Sequence, residues 1–375
     1  MNHKQRYIET LTFGNPDKIP LIPGYGREST LERWHKEGLP LNTDPLDYIC
    51  GELGISIGKV EYLADFSVNS RMIPTFEEKV LSHENGHYIV QDWMGAITEI
   101  SDKYDYTYIR NAIDFVTRKW HKFPVETSED FQKMKTRFDP MEPSRLSGDP
   151  EILGDILKDR EYPISVAVNG PFWQLREWLG MENLCIAFIE RPEFVEEMID
   201  FWCDFVVKLL ERFLPYVQID SLNINEDMAY KAKSMISPAM TRKFLQPVYE
   251  KWISVTRKYN VPIVDMDSDG FIEELIPIWI DSGINVCDPI EVAAYNDIVK
   301  FRKIFGKNMA FTGGIDKRAI AKGGIEMYNE VNRVVPPLLK DGGFIPSCDH
   351  GVPPDISLHN FMEYTKLLAK LTGWL

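Results

Sequence analysis

The stretch Gly343-Phe344-Ile345-Pro346-Ser347-Cys348-Asp349-His350-Gly351 passes directly from a short apolar run to a thiol, a carboxylate and an imidazole. The apolar run predicts a β-strand, which puts the three polar groups at its carboxyl end. In parallel β/α proteins that edge of the sheet is where ligands bind. The same residues could also form an ordinary turn, with Asp349 capping the loop and Cys348 as buried filler. A second acidic cluster after an apolar run, Asp265-Met266-Asp267-Ser268-Asp269-Gly270, favours the functional interpretation.

Short apolar strands alternate with longer amphipathic helices along the chain. Strands are predicted at 163–168, 217–224, 261–266, 284–287, 309–312 and 344–346, and helices at 192–214, 238–259 and 271–280. A first strand from Ile19 to Pro23 and a weaker one around 54–60 bring the total to about eight βα units. That number favours an α/β fold of the (β/α)8 (TIM) barrel type over an open sheet.

An N-terminal elaboration of this fold is predicted between about residues 70 and 120. Two strand-like runs, 72–80 and 87–100, indicate a hairpin that turns at Ser82–Gly86, where Asn85-Gly86 favours a tight turn. An aromatic-rich stretch follows it. We therefore expect one domain, residues 1–375, with this insertion in it.

Composition limits the possible partners. The chain of 375 residues has 42 basic and 57 acidic side chains, a net charge of −15, which disfavours nucleic acid. The amino terminus has no apolar signal core, and no run of about 18 apolar residues predicts a membrane span. The five cysteines are scattered, which is typical of a reducing compartment, so a cytoplasmic location is expected.

In a barrel, the residues just past each strand form one bowl. This bowl would contain more carboxylates than cations, so the acids must be protonated, pair with Arg27 or Lys317, or share a cation. Asp316, Asp269 and Asp288 could instead be helix N-caps, whereas Glu226 fits a cap less well because Asp227 stands beside it. The candidate bowl residues are Arg27, Glu28, Phe172, Trp173, Glu226, Asp227, Asp267, Asp269, Asp288, Asp316, Lys317, Cys348, Asp349 and His350.

Four stretches of the chain resemble the uroporphyrinogen decarboxylase superfamily, which also contains corrinoid-linked methyltransferases. They are Arg6–Pro20, Gly170-Pro171-Phe172 with Trp178-Leu179-Gly180, Thr312–Asp316 and His350–Asp355. They span nearly the whole length in the expected order. The resemblance implies a (β/α)8 barrel, in agreement with the count of βα units.

True uroporphyrinogen decarboxylases, by this resemblance, hold the substrate carboxylates with an arginine-rich motif after the first strand. Only Arg27 matches that motif here, and Pro23 stands where the first arginine is expected. The family's Asp-Ser-Trp-Ala-Gly element resembles Glu226–Tyr230, which lacks the serine. An acidic bowl would also repel a tetrapyrrole with many carboxylates. The departures argue against uroporphyrinogen as the substrate.

The methyltransferase branch, by the same resemblance, binds zinc through a His-x-Cys pair and a later Cys. Here Asp267-Ser268-Asp269-Gly270 occupies the His-x-Cys-Gly position, and Cys348 or His350 the last one. Asp267, Asp269, Cys348 and His350 are therefore expected ligands of Zn²⁺ or another divalent metal, with the oxygen ligands favouring a harder ion. The chain has no Asp-x-His-x-x-Gly cobalamin signature, so a corrinoid would be carried by a partner protein.

The expected function is methyl transfer from a small methoxylated or methylated compound to that corrinoid protein. Decarboxylation of a small polycarboxylate is the alternative, and a non-catalytic binding barrel is a third. The expected catalytic residues are His350, Glu226 and Asp267. The expected substrate-binding residues are Arg27, Asp227, Lys317, Phe172, Trp173 and Trp93, although aromatic side chains of this kind more often belong to the core.

Overall fold

A parallel β-sheet forms the centre of the computed structural model, which describes residues 1–57, 67–104 and 118–375. Its six strands follow one another across the sheet in chain order. These strands are β5 (Ser165–Asn169), β6 (Ser221–Asn225), β7 (Ile263–Asp267), β8 (Val286–Asp288), β9 (Ala310–Ile315) and β10 (Phe344–Cys348). The structure confirms the six strands predicted between 163 and 346, with some bounds shifted by a few residues.

Helices connect the strands and cover the outer face of the sheet. In chain order they are α1 (His3–Leu11), α2 (Glu28–Lys36), α3 (Pro45–Leu53), α4 (Ser128–Lys135), α5 (Pro150–Leu157), α6 (Pro171–Leu179), α7 (Met181–Glu190), α8 (Pro192–Phe213), α9 (Pro238–Met240), α10 (Gln246–Lys258), α11 (Ile276–Ser282), α12 (Ile298–Phe305), α13 (Lys317–Lys322), α14 (Gly324–Asp341) and α15 (Leu358–Leu371). None of the described helices is long and apolar enough to cross a membrane.

The predicted helices are present with modified bounds. α8 begins at Pro192, as predicted. Proline is well suited to the first turn of a helix, because the backbone N–H groups there have no acceptor within the helix and the N–H that proline lacks is not needed. The predicted helix 238–259 is divided by a π-helical turn at Thr241–Leu245, which separates α9 from α10. Ser237 caps its start by accepting a hydrogen bond from Met240 N at 3.2 Å.

Strands β6 and β7 of the parallel sheet carry apolar and polar residues at alternate positions over most of their length. Leu222 and Ile224 of β6, like Val264 and Met266 of β7, are buried in the main hydrophobic cluster. Asn223, between the first two, pairs in register with Asp265, between the second two. The sheet therefore packs one face against the helices and presents polar side chains on the other.

A small apolar layer closes the interior of the sheet at its amino end. Ile263, Val286, Ala310 and Ile345 form a separate buried cluster with Leu11 of α1. Because α1 covers this end, the carboxyl ends of the strands are the natural opening.

The sheet, as far as the structure describes it, has six strands and no pairing that closes it into a barrel. The predicted first strand, residues 19–23, is not a strand, because Pro20 and Pro23 have no N–H to donate to a ladder. This segment nevertheless lies beside β10, where Cys348 N donates to Pro23 O at 3.1 Å. The weaker strand predicted around 54–60 lies partly outside the described residues. The architecture is α/β and consistent with a TIM barrel.

A second, antiparallel sheet precedes the parallel one. Its strands in order are β1 (Lys79–Glu84), β2 (His87–Gln91), β3 (Ile97–Ser101) and β4 (Arg118–Lys122). β1 and β2 meet at Asn85 and Gly86, whose φ angles of 51° and 75° suit a tight hairpin turn. The arms predicted at 72–80 and 87–100 thus differ in bounds from these strands, and residues 105–117 of the predicted aromatic-rich stretch lie outside the described residues.

Candidate active site

A cavity of about 750 Å³ lies against the polar face of the parallel sheet. It extends from Ser165 at the start of β5 to Asp267 and Asp288 at the carboxyl ends of β7 and β8. Its lining includes Tyr7, Tyr25, Tyr162, Ser165, Trp173, Asn223, Asn225, Asp227, Asp265, Asp267, Asp269, Asp288, Thr312, Ser347, Cys348 and His350. Trp173, Asp227, Asp269 and His350, which follow four different strands, therefore share one space.

The cavity is acidic. Among the described residues that line it there are five aspartates, namely Asp227, Asp265, Asp267, Asp269 and Asp288, and no lysine or arginine. Burial, with Asp267 adding repulsion, raises the pKa of Asp265 to about 7. Burial and the neighbouring carboxylates also hold the pKa values of Asp267 and Asp288 well above their usual range. Without a cationic ligand, several of these groups therefore hold protons near neutral pH.

His350 lies between a guanidinium and a carboxylate. Arg27 Nη2 is 3.2 Å from His350 Nδ1, and Asp269 Oδ2 is 2.9 Å from His350 Nε2. Because a guanidinium can only donate, Nδ1 must be the acceptor and the proton of the neutral ring is on Nε2. That proton points at Asp269, so the two residues form an acid–base pair.

The loops on either side keep this pair in place. Val352 N donates to Tyr25 O at 2.8 Å, and Arg27 N donates to Val352 O at 3.1 Å. These bonds fix Arg27 next to the loop that carries His350. On the other side Asp269 N donates to Asp227 Oδ1 at 2.9 Å. Arg27 and His350 are 323 positions apart in the sequence. The backbone hydrogen bonds between Tyr25, Arg27 and Val352 bring them together.

Asp227 and Trp173 complete one wall of the cavity. Asp227 has a φ of 38°, an unusual value for a residue with a side chain. Arg176 Nη1 donates to the Asp227 carbonyl at 3.0 Å, and its guanidinium lies 4.1 Å from the centre of the Trp173 ring. Arg176 thus holds both residues from behind the cavity surface.

Glu226, an expected catalytic residue, is fully buried and does not line the cavity. Its carboxylate accepts from Trp173 N at 2.9 Å, at the start of α6, and from Tyr249 Oη at 2.5 Å. Burial raises its pKa to about 7, against the opposing effect of these donors. The structure therefore gives Glu226 the position of a helix cap that supports Trp173.

Several expected substrate-binding residues lie away from the cavity lining. Phe172 is buried in the core and stacks on Phe188, with ring centres 6.4 Å apart. Trp93 packs against the core, with Arg71 5.6 Å from its ring centre. Lys317 Nζ is 3.5 Å from Glu291 Oε1. Of the expected substrate-binding set, Trp173 and Asp227 line the cavity, and Arg27 contacts His350.

The expected metal ligands Asp267, Asp269, Cys348 and His350 all line the cavity. Within the described ranges, however, no three His, Cys, Asp or Glu side chains are arranged to hold a metal ion. His350 Nε2 is directed at Asp269, and burial raises the pKa of Cys348 to about 12. The donor set thus does not fit a metal site in this geometry.

Four aspartates had been given a second interpretation as caps of a helix or loop, and the structure supports it for two of them. Asp316 caps α13, accepting from Arg318 N at 2.9 Å, as expected for one alternative. Asp349 is buried and accepts from Val292 N and Lys317 N, so it stabilises the loop. Asp288 and Asp269, in contrast, line the cavity.

The sequence analysis did not identify the polar groups inside the strands as site residues. Asn223 and Ser165 line the cavity from within β6 and β5, and Asp265, quoted only as part of the acidic cluster, lines it from within β7. The signal was the alternation of polar and apolar residues in Ser221-Leu222-Asn223-Ile224-Asn225. Such alternation shows that one face of a strand is polar, which is unusual for a sheet covered by helices.

Comparison with known proteins gives matches over most of the chain. A family model described as uroporphyrinogen decarboxylase (URO-D) matches residues 114–371. A solved methyltransferase from Methanosarcina mazei is similar over 99% of both chains, with 12% identity and a TM-score of 0.58. A B12-independent methionine synthase from a Shewanella species is similar over 60% of this chain and 67% of its own, with 12% identity and a TM-score of 0.40. No curated protein matches the sequence.

Proposed function

The chain belongs to the uroporphyrinogen decarboxylase family, and from that premise we propose that it transfers a methyl group from a small methoxylated or methylated compound to a corrinoid on a separate protein. The shared fold with the Methanosarcina methyltransferase is compatible with this activity but does not by itself assign it.

The observation that carries the proposal is the charge of the cavity. Five aspartates line it, and no lysine or arginine does among the described lining residues. A substrate with several carboxylates is disfavoured, because no lysine or arginine of the described lining would neutralise its charges, and each aspartate that ionises would repel them in a poorly solvated space. A neutral or cationic methylated compound meets no such penalty. The site therefore favours methyl transfer over decarboxylation of a polycarboxylate.

The His350–Asp269 pair supplies the proton that this reaction needs. When a methyl group leaves a methoxy oxygen, the electron pair of the C–O bond stays on oxygen, which must then be protonated. A neutral imidazole is too weak an acid to give up its only proton, so the pair must first take up one proton from water. It then holds one proton between His350 Nε2 and Asp269 Oδ2, which are 2.9 Å apart, and a second on the outer Asp269 oxygen, which passes to the leaving oxygen. Arg27 is a positioning residue, since its bond to Nδ1 keeps the proton on the other nitrogen.

The reactive end of the cavity is accessible to a second protein. The side chain of His350 is 18% exposed and that of Asp269 is 34% exposed. A corrinoid presented there would supply the nucleophile that accepts the methyl group. Trp173 and Tyr25 would hold the apolar part of the substrate beside the pair.

Reconstitution tests the proposal. Purified protein, a reduced corrinoid carrier protein and a panel of methoxylated compounds should give a change in the visible spectrum of the corrinoid, and no change without the carrier. His350→Ala should lower the rate on the order of 10²-fold or more, as for loss of a general acid. His359→Ala is the matched control, since His359 is an exposed residue of α15.

Decarboxylation is the second candidate, favoured by one feature. Arg27 lies next to His350 and could hold one substrate carboxylate. A single arginine suits a small acid better than a porphyrinogen. Release of CO2 from a small carboxylic acid, with no methyl transfer to any carrier, would establish this candidate and overturn the first.

A further inference from the structure

Two buried carboxyl groups in the cavity, Asp265 and Asp288, hydrogen-bond to each other, so one proton lies between them when no ligand is bound. Asp265 is 5% exposed, and the other described side chains offer no N–H or hydroxyl donor to its Oδ1. Asp288 Oδ1, on the neighbouring strand β8, likewise receives no such donor. Asn223 Nδ2 makes a long contact, 3.5 Å, with the other oxygen of Asp265. Buried acceptors of this kind cost free energy unless a donor is supplied.

Asp265 lies deeper than the His350–Asp269 pair, whereas Asp288 ends β8 in register with Asp267. Asp265 precedes Asp267 by two residues on β7, which places it about 7 Å further from the carboxyl end of the sheet. Asn223, Asp267, Asp288 and the Tyr7 side chain share this part of the cavity with it. The cavity thus has a reactive end near His350 and an anionic end near Asp265.

The anionic end needs a ligand that donates hydrogen bonds and carries positive charge. A divalent metal ion is disfavoured by geometry, since no three ligand groups in the described ranges are arranged to hold one. An ammonium group has several N–H donors and can contact two carboxylates without a fixed coordination polyhedron. The aromatic lining side chains, Tyr7 and Tyr162 among them, suit the apolar part of such a molecule.

We propose that the substrate is a methoxylated amine, whose protonated nitrogen binds Asp265 and Asp288 while its methoxy group lies beside His350. The assignment of the methoxy end rests on the proposed methyl transfer. The binding of the protonated nitrogen does not depend on turnover.

Binding calorimetry on the unmodified protein tests the proposal without a corrinoid carrier. The probes are three compounds of similar shape: para-methoxyphenethylamine, which is cationic, para-ethylanisole, which is neutral, and para-methoxyhydrocinnamate, which is anionic. The amine should bind at least about tenfold more tightly than either of the others, the value of one charge-assisted hydrogen bond. Equal or tighter binding of the neutral or anionic probe would overturn the proposal.

Variants locate the site of binding. Asp265→Asn should reduce the affinity for the amine by about tenfold or more and leave the affinity for para-ethylanisole unchanged. Asp155→Asn makes the same change of charge at a side chain that is 80% exposed, and it should bind the amine as the unmodified protein does. Should Asp265→Asn not fold, Asp288→Asn serves in its place. Unchanged amine affinity in a folded variant of either residue would overturn the proposal.

The outcomes separate the two proposals. Selective amine binding without methyl transfer to any corrinoid carrier would leave this inference in place and contradict the proposed function. Methyl transfer from neutral methoxy compounds without a preference for the amine would support the proposed function and contradict this inference.

Discussion

The two ring nitrogens of His350 have different hydrogen-bond partners, and these partners determine which nitrogen carries the proton. Arg27 donates to Nδ1, and Asp269 accepts from Nε2. Sequence alone singled out His350, because an imidazole directly after a strand is a typical position for a functional group. It also named Arg27 and Asp269, but not which nitrogen each would contact. That information depends on loop contacts between distant parts of the chain, which no local pattern encodes.

Replacing Asp269 by Asn tests whether the pair delivers a proton. With methoxy compounds whose leaving oxygen is strongly basic, we expect the rate of Asp269→Asn to fall on the order of 10²-fold, because the leaving group needs the proton most. With weakly basic leaving groups, such as nitrophenolates, the loss should be much smaller. The measurement is the dependence of rate on leaving-group basicity; the same loss for every substrate would indicate a structural role for Asp269.

Glu226 should make stability depend on pH. Burial raises its pKa from 4.5 to about 7 in the folded protein. Between these values the folded protein holds a proton that the unfolded chain has lost, so the free energy of unfolding falls as pH rises, by about 3 kcal/mol in all. Glu226→Gln has no such proton. Urea denaturation across this pH range should show a smaller fall for the variant, and parallel curves for the two proteins would contradict the prediction.

At the scale of elements, α6 is positioned by a residue from another βα unit. Pro171 stands at the first position of this helix, where its missing N–H costs no hydrogen bond. The carboxylate that caps it comes from Glu226, after β6, which sequence reasoning assigned to catalysis. An acid after a strand has the same local pattern whether it faces the cavity or a neighbouring helix. Only packing separates the two cases.

Gly170→Ala should disrupt this junction. A Cβ at residue 170 would lie 2.1 Å from Glu226 Cδ, a distance that forces Glu226 or the helix to move. We expect a loss of roughly 1–3 kcal/mol in the free energy of unfolding, typical of overpacking. The control is Gly51→Ala in α3, where a Cβ meets nothing within 4 Å. That change should be neutral or stabilising, and chemical denaturation of the two variants measures both effects.

At the scale of the whole molecule, the sequence predicted the architecture well where strands are apolar and separated by long helices. The six strands of the parallel sheet were all predicted, since their apolar runs stand out between helices. The segment 19–23 was misassigned because its composition is strand-like while Pro20 and Pro23 prevent a ladder. The depth of the cavity was not predicted, because residues after the strands were expected to line it, whereas the inward faces of the strands themselves also do so.

The charge of the cavity as a whole predicts that uroporphyrinogen is not a substrate. Its many carboxylates would meet the five aspartates of the lining. We expect no coproporphyrinogen after incubation with the enzyme, measured by chromatography after oxidation to porphyrins. Uroporphyrinogen should also fail to slow methyl transfer when added as a competitor. Its ready conversion would restore decarboxylation as the function.

The polar face of the parallel sheet separates the residues that hold the fold from those that meet the ligand. Leu222, Ile224, Val264 and Met266 pack outward into the hydrophobic cluster, whereas Ser165 and Thr312 line the cavity. Substitutions at the inward positions change the shape and charge of the cavity without opening a void in the core. A lineage with this arrangement can therefore explore new substrates by mutation at the cavity-facing positions of the strands, at low risk of unfolding.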